Sequence, residues 1–165
     1  MPPCITWIEI PEQGRLGIMA HPRGGPVLAE TLEAMKVQGV ELVLSLLEAS
    51  EAEQLGIAGE GEACAEAGLE FQNLPVPEMG VPEAEPSAEV LVPLAERIGE
   101  GLCVVVHCQA GIGRSPTVAA ALMGLMGVPC GEAFERIGRA LGRDVPETQA
   151  QETWAEAFYE AFAEG

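Results

Sequence analysis

Cys103-Val104-Val105-Val106-His107-Cys108-Gln109-Ala110-Gly111-Ile112-Gly113-Arg114-Ser115-Pro116 is the stretch on which the reading of this 165-residue chain turns. Val104 to Val106 is a short β-branched run, which predicts a strand buried on both faces. A loop with Gly111 and Gly113 follows, and glycine supplies the backbone freedom a tight turn needs. Pro116 suits the first turn of a helix, where the amide hydrogen it lacks would have no partner anyway. Strand, glycine loop and helix N-terminus in succession make an anion cradle: amide N–H groups and the positive end of the helix dipole converge on one spot.

Two side chains give the cradle chemistry. Cys108 opens the loop and Arg114 closes it, with five residues between. A thiol among amide donors, a helix N-terminus and a guanidinium is stabilised as the thiolate, and the thiolate is the nucleophile. Arg114 presents a planar fork that matches two oxygens of an oxyanion. Gln109, Ala110, Gly111, Ile112 and Gly113 supply the backbone that faces the bound group. As a phosphoryl group moves to sulfur its charge spreads over the equatorial oxygens, where such donors already wait. Ser115 is placed to donate to the sulfur and help it leave.

The run His107-Cys108-Gln109-Ala110-Gly111-Ile112-Gly113-Arg114-Ser115 resembles the signature loop of the cysteine-dependent protein tyrosine phosphatases, and most of all their small dual-specificity branch. A Cys and an Arg separated by five residues is a weak pattern alone. The preceding His, both glycines, the Ser and the strand–loop–helix context make it specific. The resemblance implies a protein phosphatase that forms a phosphocysteine, uses neither metal nor organic cofactor, and takes a phosphorylated protein or peptide as its partner while acting as a monomer. Phosphotyrosine is the first substrate class, with phosphoserine and phosphothreonine beside it. Gln109 and Ile112 stand where phosphatases of inositol phospholipids or polyphosphates carry Lys, which disfavours such highly charged substrates.

The resemblance also implies a general acid on a proline-rich loop about thirty residues before the nucleophile. That loop is Pro75-Val76-Pro77-Glu78-Met79-Gly80-Val81-Pro82, and its acid position holds Glu78 where the family has Asp; Glu78 is expected to protonate the leaving group and then to activate water in the second step. Glu83 and Glu85 are alternatives on the same loop, each also readable as solvated surface charge. His107 is expected to order the loop and tune the thiolate. Gln151 matches a glutamine of related enzymes that contacts the hydrolytic water; Gln149 competes with it, and an exposed helical position is an equal reading. Cys103 is in the position of a disulfide trap for Cys108, although a buried apolar thiol is the simpler expectation. Arg15, Arg23, Arg139 and Arg143 are either a basic rim or solvated charges.

Composition bounds these readings. Hydrophobic residues make up 48%, which implies a packed core, and the length suits one domain over residues 1–165. A formal net charge of −18 opposes nonspecific binding to nucleic acid or to acidic membranes. It also repels anionic substrates at long range, so the few cations near the pocket gain weight. Five cysteines without a CxxC pair suggest neither a disulfide framework nor a zinc site. No leader pattern or membrane-length apolar run is visible, and a reducing cytoplasm is the expected location.

Taken in order, residues 4–10 and 15–20 read as strands of a hairpin, and 27–38 as a helix stopped by Gly39. Leu42 to Leu47 is a continuous apolar strand, central and parallel. A short helix and a second near 60–67 follow, then a strand over 69–74. The loop over 74–86 is barred from helix by its prolines, and Ser87 caps a helix to about Ile98. Helices are expected over 117–126, buried all round, over 130–141, and over 147–162 with Trp154, Phe158 and Phe162 on one face; Trp7 and Trp154 read as core. Strands alternating with helices give an α/β fold, a mostly parallel central sheet flanked by helices as in the phosphotyrosine protein phosphatases, with Cys108 at the sheet's carboxyl edge. Two other activities remain open: a phosphate-binding module without turnover, and an arsenate reductase-like enzyme, for which no suitable pair of thiols follows Cys108.

Overall fold

The computed structural model of the chain describes residues 3–163. Five strands, β1 (Thr6–Ile8), β2 (Arg15–Met19), β3 (Leu42–Ser45), β4 (Glu70–Asn73) and β5 (Cys103–His107), form one sheet in the order β1-β2-β5-β3-β4. Only β1 is antiparallel, paired with β2 as the expected hairpin; the other neighbours are parallel. The valine-rich strand is therefore the centre of the sheet. Its side chains alternate between two cores, as a strand's period of two requires. Val104 and Val106 face one core together with Leu42, Leu44 and Leu122, while Val105 faces the other with Val43, Leu32 and Cys64.

Seven α-helices cover the two faces: α1 (Leu28–Val37), α2 (Ala49–Gln54), α3 (Glu60–Ala67), α4 (Ala84–Gly99), α5 (Arg114–Leu125), α6 (Cys130–Leu141) and α7 (Gln149–Phe158). Among the described residues no helix is long and apolar enough to cross a membrane. Arg114 through Gly124 is buried along the whole of α5, which explains its weak amphipathic pattern. In α7, Trp154 stacks on Phe158 with centroids 5.1 Å apart, and Phe158 on Phe162 at 4.7 Å.

Several boundaries differ from the sequence reading. The first strand pairs only over Thr6–Ile8, and the third ends at Ser45 rather than Leu47. Helix α4 begins at Ala84, so Pro86 lies inside its first turn, where a missing N–H costs nothing. Ser87 consequently does not cap it; its hydroxyl donates back to the carbonyl of Glu83 within the first turn. Helix α5 starts three residues early, at Arg114. The last helix starts at Gln149 and widens into a π-turn over Tyr159–Ala163.

Candidate active site

Because β5 ends with residues of odd number on the face of α1 and α3, His107 points to that side and meets Glu60, the first residue of α3. His107 Nε2 lies 2.7 Å from Glu60 Oε2, and both residues are buried. His107 Nδ1 lies 3.3 Å from the Cys108 carbonyl. A carbonyl only accepts, so Nδ1 carries a hydrogen, and a proton is shared between Nε2 and the Glu60 carboxyl. The residue before Cys108 is thus fixed from both ends of its ring. Glu60 had no signal in the sequence beyond its place at a helix start.

Cys108 follows at the carboxyl edge of the sheet and is only 2% exposed. The Gly111 amide donates to its sulfur at 3.2 Å. Gly111 has φ of 79°, and a Cβ there would press on the backbone of Met19 and Ala20, so both the turn and the space require glycine. The loop closes on Gly113, the N-cap of α5. A cavity of about 210 Å³ opens over the loop, lined by Glu78, Met79, Cys108, Gln109, Ala110, Ile112, Gly113, Arg114 and Glu147. Of the loop residues expected at the ligand, Gly111 alone faces away from it, toward Met19.

Arg114 is buried, and its orientation is set by α2. Its Nη1 and Nη2 donate to Glu51 Oε1 and Oε2 at 2.7 and 2.9 Å, and Nη1 also donates to the Val76 carbonyl at 2.9 Å. A guanidinium has five N–H donors. These bonds occupy three, and the two left, Nε–H and the second Nη2–H, lie side by side on one edge, the geometry of a two-point grip on an oxyanion. Burial pulls the Arg114 pKa down, but Glu51, the Cys108 sulfur and Glu78 outweigh it and hold the pKa above its ordinary value. Glu51 in turn is held below the usual carboxylate range by its hydrogen bonds with Arg114, against the opposing effect of burial. Nothing in the acidic segment around Glu51 distinguished it in sequence; Glu48, Glu53, Glu60, Glu62 and Glu66 look like it until the helix is folded onto the cradle.

The proline-rich loop is drawn to the cradle at its base. Val76 N–H donates to the Leu46 carbonyl at 3.0 Å while Val76 O accepts from Arg114. Glu78 lines the cavity two residues on, next to Met79, which has φ of 63° and is 54% exposed. Glu83 and Glu85 do not line it. Glu83 is the N-cap residue of α4, and Glu85 sits exposed in its first turn, where a negative charge suits the helix dipole.

Other expectations are corrected by position. Gln151 neither lines the cavity nor lies on an exposed face; it is fully buried. Its Oε1 accepts from the amides of Glu147 and Thr148, at 3.1 and 3.2 Å, and its Nε2 donates to the Gly80 carbonyl at 3.3 Å. Gln149 is exposed and bonds to Thr153. The residue of this segment that does reach the cavity is Glu147, which the sequence reading treated only as a helix start. The Ser115 hydroxyl is buried and makes no hydrogen bond, to the sulfur or to any other described atom. Cys103 begins the strand that Cys108 follows. Five extended residues span about 16 Å, far beyond disulfide reach, so it cannot trap Cys108. Burial raises the Cys103 pKa. Arg15 lies over the Trp7 ring at 3.7 Å and donates to the Gln38 carbonyl. Arg139 pairs with Glu135, and Arg143 lies beside it in a separate surface hollow. Arg23 lines a different hollow, so none of the four forms a rim at the cavity.

A parallel sheet whose central strand delivers a cysteine into an amide loop closed by a helix-borne arginine defines a cysteine-dependent phosphatase of the dual-specificity-like kind. Comparison with known proteins agrees. Residues 17–127 match the family model described as "Polymorphic toxin system, DSP-PTPase phosphatase", and the chain belongs to that family. The fold is similar to kinase associated phosphatase, solved with its catalytic-site cysteine substituted by serine: TM-score 0.87 and 19% identity, covering 100% of this chain and 98% of that one. It is also similar to Tk-PTP in its active form, TM-score 0.75 and 27% identity over 94% and 96% of the two chains. PTPMT1 in complex with PI(5)P aligns with TM-score 0.71 and 22% identity over 96% and 97%. No curated protein sequence matches the chain.

Proposed function

We propose that this phosphatase hydrolyses phosphotyrosine in proteins or peptides, and phosphoserine or phosphothreonine more slowly, through a phosphocysteine on Cys108. The Cys108 thiolate attacks phosphorus in line with the leaving oxygen. The free edge of Arg114 and the amides of Gln109, Ala110, Ile112 and Gly113 hold the equatorial oxygens as charge spreads over them. Glu78 gives its proton to the departing phenoxide or alkoxide. Water then attacks the phosphocysteine, the P–S bond breaks, and the electron pair returns to sulfur. The buried Ser115 hydroxyl bonds to nothing in the resting site, the sulfur included, so it assists the departing sulfur only if it turns toward it once phosphate is bound. His107 holds the loop for both steps.

One observation carries the reading: Arg114 has three of its donors tied to Glu51 and Val76, which leaves the oxyanion-matching edge directed by the fold rather than by the ligand. Phosphoproteins are favoured over inositol phospholipids, for although a PTPMT1 structure holds PI(5)P, this cavity is lined by one cation and by two carboxylates, Glu78 and Glu147. A binder without turnover has no use for a buried thiol set among donors. A reductase needs a relay of thiols, and among the described residues Cys108 is the only one lining the cavity. The test is kinetics of Cys108→Ser beside the wild type on phosphotyrosine and phosphothreonine peptides. A loss on the order of 10⁴-fold or more is expected, with vanadate-sensitive hydrolysis of p-nitrophenyl phosphate by the wild type alone. Retained activity in the variant sinks the reading.

A further inference from the structure

Glu147 is the second carboxylate in the cavity and stands outside every role assigned so far. It comes from the segment that enters α7, not from the proline-rich loop, and it approaches from the Gly113 side. Its carboxyl packs so closely on Gly113 that a Cβ at that position would collide with it. Gly113 is the N-cap of α5 and part of the oxyanion cradle, so the Glu147 carboxyl stands beside the place of the phosphoryl oxygens.

The placement is built, not incidental. Buried Gln151 accepts from the Glu147 amide and donates to the Gly80 carbonyl. Gly80 closes the turn that carries Glu78, its amide donating to Pro77 O at 2.8 Å. One side chain therefore ties together the backbones of the two segments that bring these exposed carboxylates to the cavity. A site of net charge this negative gains nothing for substrate binding from a second carboxylate; an anion beside a dianion is repelled. The position has a use once the leaving group has gone. A water entering where that group stood must lose a proton as it attacks, and a carboxylate within hydrogen-bond reach serves as the base.

We propose that Glu147 is the general base of the second half-reaction, holding and deprotonating the water that hydrolyses the phosphocysteine, while Glu78 acts as acid in the first. The water oxygen bonds to phosphorus, its proton passes to the Glu147 carboxylate, the P–S bond breaks and the thiolate is restored. Solvent then takes that proton from Glu147 and returns one to Glu78, which resets the site. The inference rests on the phosphocysteine reading.

Rapid-quench kinetics on p-nitrophenyl phosphate test it, with Glu147→Gln, an isosteric change that keeps the packing on Gly113. The nitrophenol burst keeps its wild-type rate, steady-state turnover falls about a hundredfold, and acid quench traps phosphate on Cys108 in the variant during turnover. Glu78→Gln on a phosphotyrosine peptide shows the opposite split, a slowed first step with no trapped intermediate. If Glu147→Gln slows the burst in proportion to turnover, or changes neither, the assignment is wrong. If trapped phosphate is absent from wild type and variant alike and Cys108→Ser still turns over, the phosphocysteine reading itself has failed and the inference falls with it.

Discussion

The cradle and the proline-rich loop face each other across one cavity, yet they are held in unlike ways. Each member of the cradle is held by the fold: Arg114 by three hydrogen bonds, His107 at both ring nitrogens, and the sulfur by the Gly111 amide. The loop is pinned at Val76 and at Gly80, and between them a single turn closed by Gly80 N–H to Pro77 O carries the exposed Glu78 and Met79. The difference separates two physical demands. Charge developing on phosphorus is stabilised by dipoles that need not reorganise. A proton donor must meet leaving groups of different depth, and a short exposed span fixed at its ends can do so.

The contrast can be broken at its strongest point. Glu51→Gln removes the carboxylate that orients Arg114 and leaves a buried guanidinium uncompensated. Stability is expected to fall by about 3 kcal/mol, and kcat/KM by roughly a hundredfold from the misplaced fork; chemical denaturation and steady-state assays read both. Because the Glu51 carboxyl is held below its ordinary range in the folded state, its contribution is fully present above that range. It is lost as pH falls through the lowered value, so the wild type's advantage over the variant shrinks on acidification. An advantage that is unchanged by acid would show that the pair does not act as described.

Next comes the looser wall. Glu78→Gln should reduce turnover of a phosphotyrosine peptide on the order of a hundredfold, with a much smaller loss on an aryl phosphate whose leaving group needs no proton. It should also remove the limb of the pH–rate profile that requires a protonated acid. Untouched activity on phosphotyrosine would show that Glu78 is not the acid. The smallest effect belongs to the brace behind both carboxylates. Gln151→Ala strips partners from the Glu147 and Thr148 amides and from Gly80 O, and should lower stability by about 1–3 kcal/mol. Activity should fall less than with either carboxylate replaced, and urea melts with single-turnover assays distinguish the two changes. If the burst and the turnover respond as in Cys108→Ser, the loop is less independent of the cradle than its hydrogen bonds indicate.

How far the sequence could be read depends on how local each feature is. The central strand, the loop and the start of α5 lie within fourteen consecutive residues, from Cys103 to Pro116. β-Branched residues, two glycines and a proline in the first turn are short-range signals, so Cys108 and Arg114 stood out as candidates without a fold. The paired strands, α3 over 60–67 and α6 over 130–141 were legible for the same reason. Where propensity and position disagreed, boundaries slipped: Pro86 reads as a helix breaker, yet the first turn of a helix tolerates it.

The partners of the cradle were not legible. Glu51 is 63 residues from Arg114, Glu60 is 47 from His107, and Gln151 is 71 from Gly80. Each is one carboxylate or amide among many of its kind, and nothing local marks it. The chain alone thus picked out Cys108 and Arg114 as the candidate pair and determined the α/β class, because a tight loop and a buried strand are written in neighbouring residues. Only the tertiary structure decided which acids face the phosphate site, which edge of the guanidinium stays free, and that Gln151 stands behind the wall rather than in the cavity. Those depend on which helix faces settle against the sheet, a choice made by the packing of both cores together.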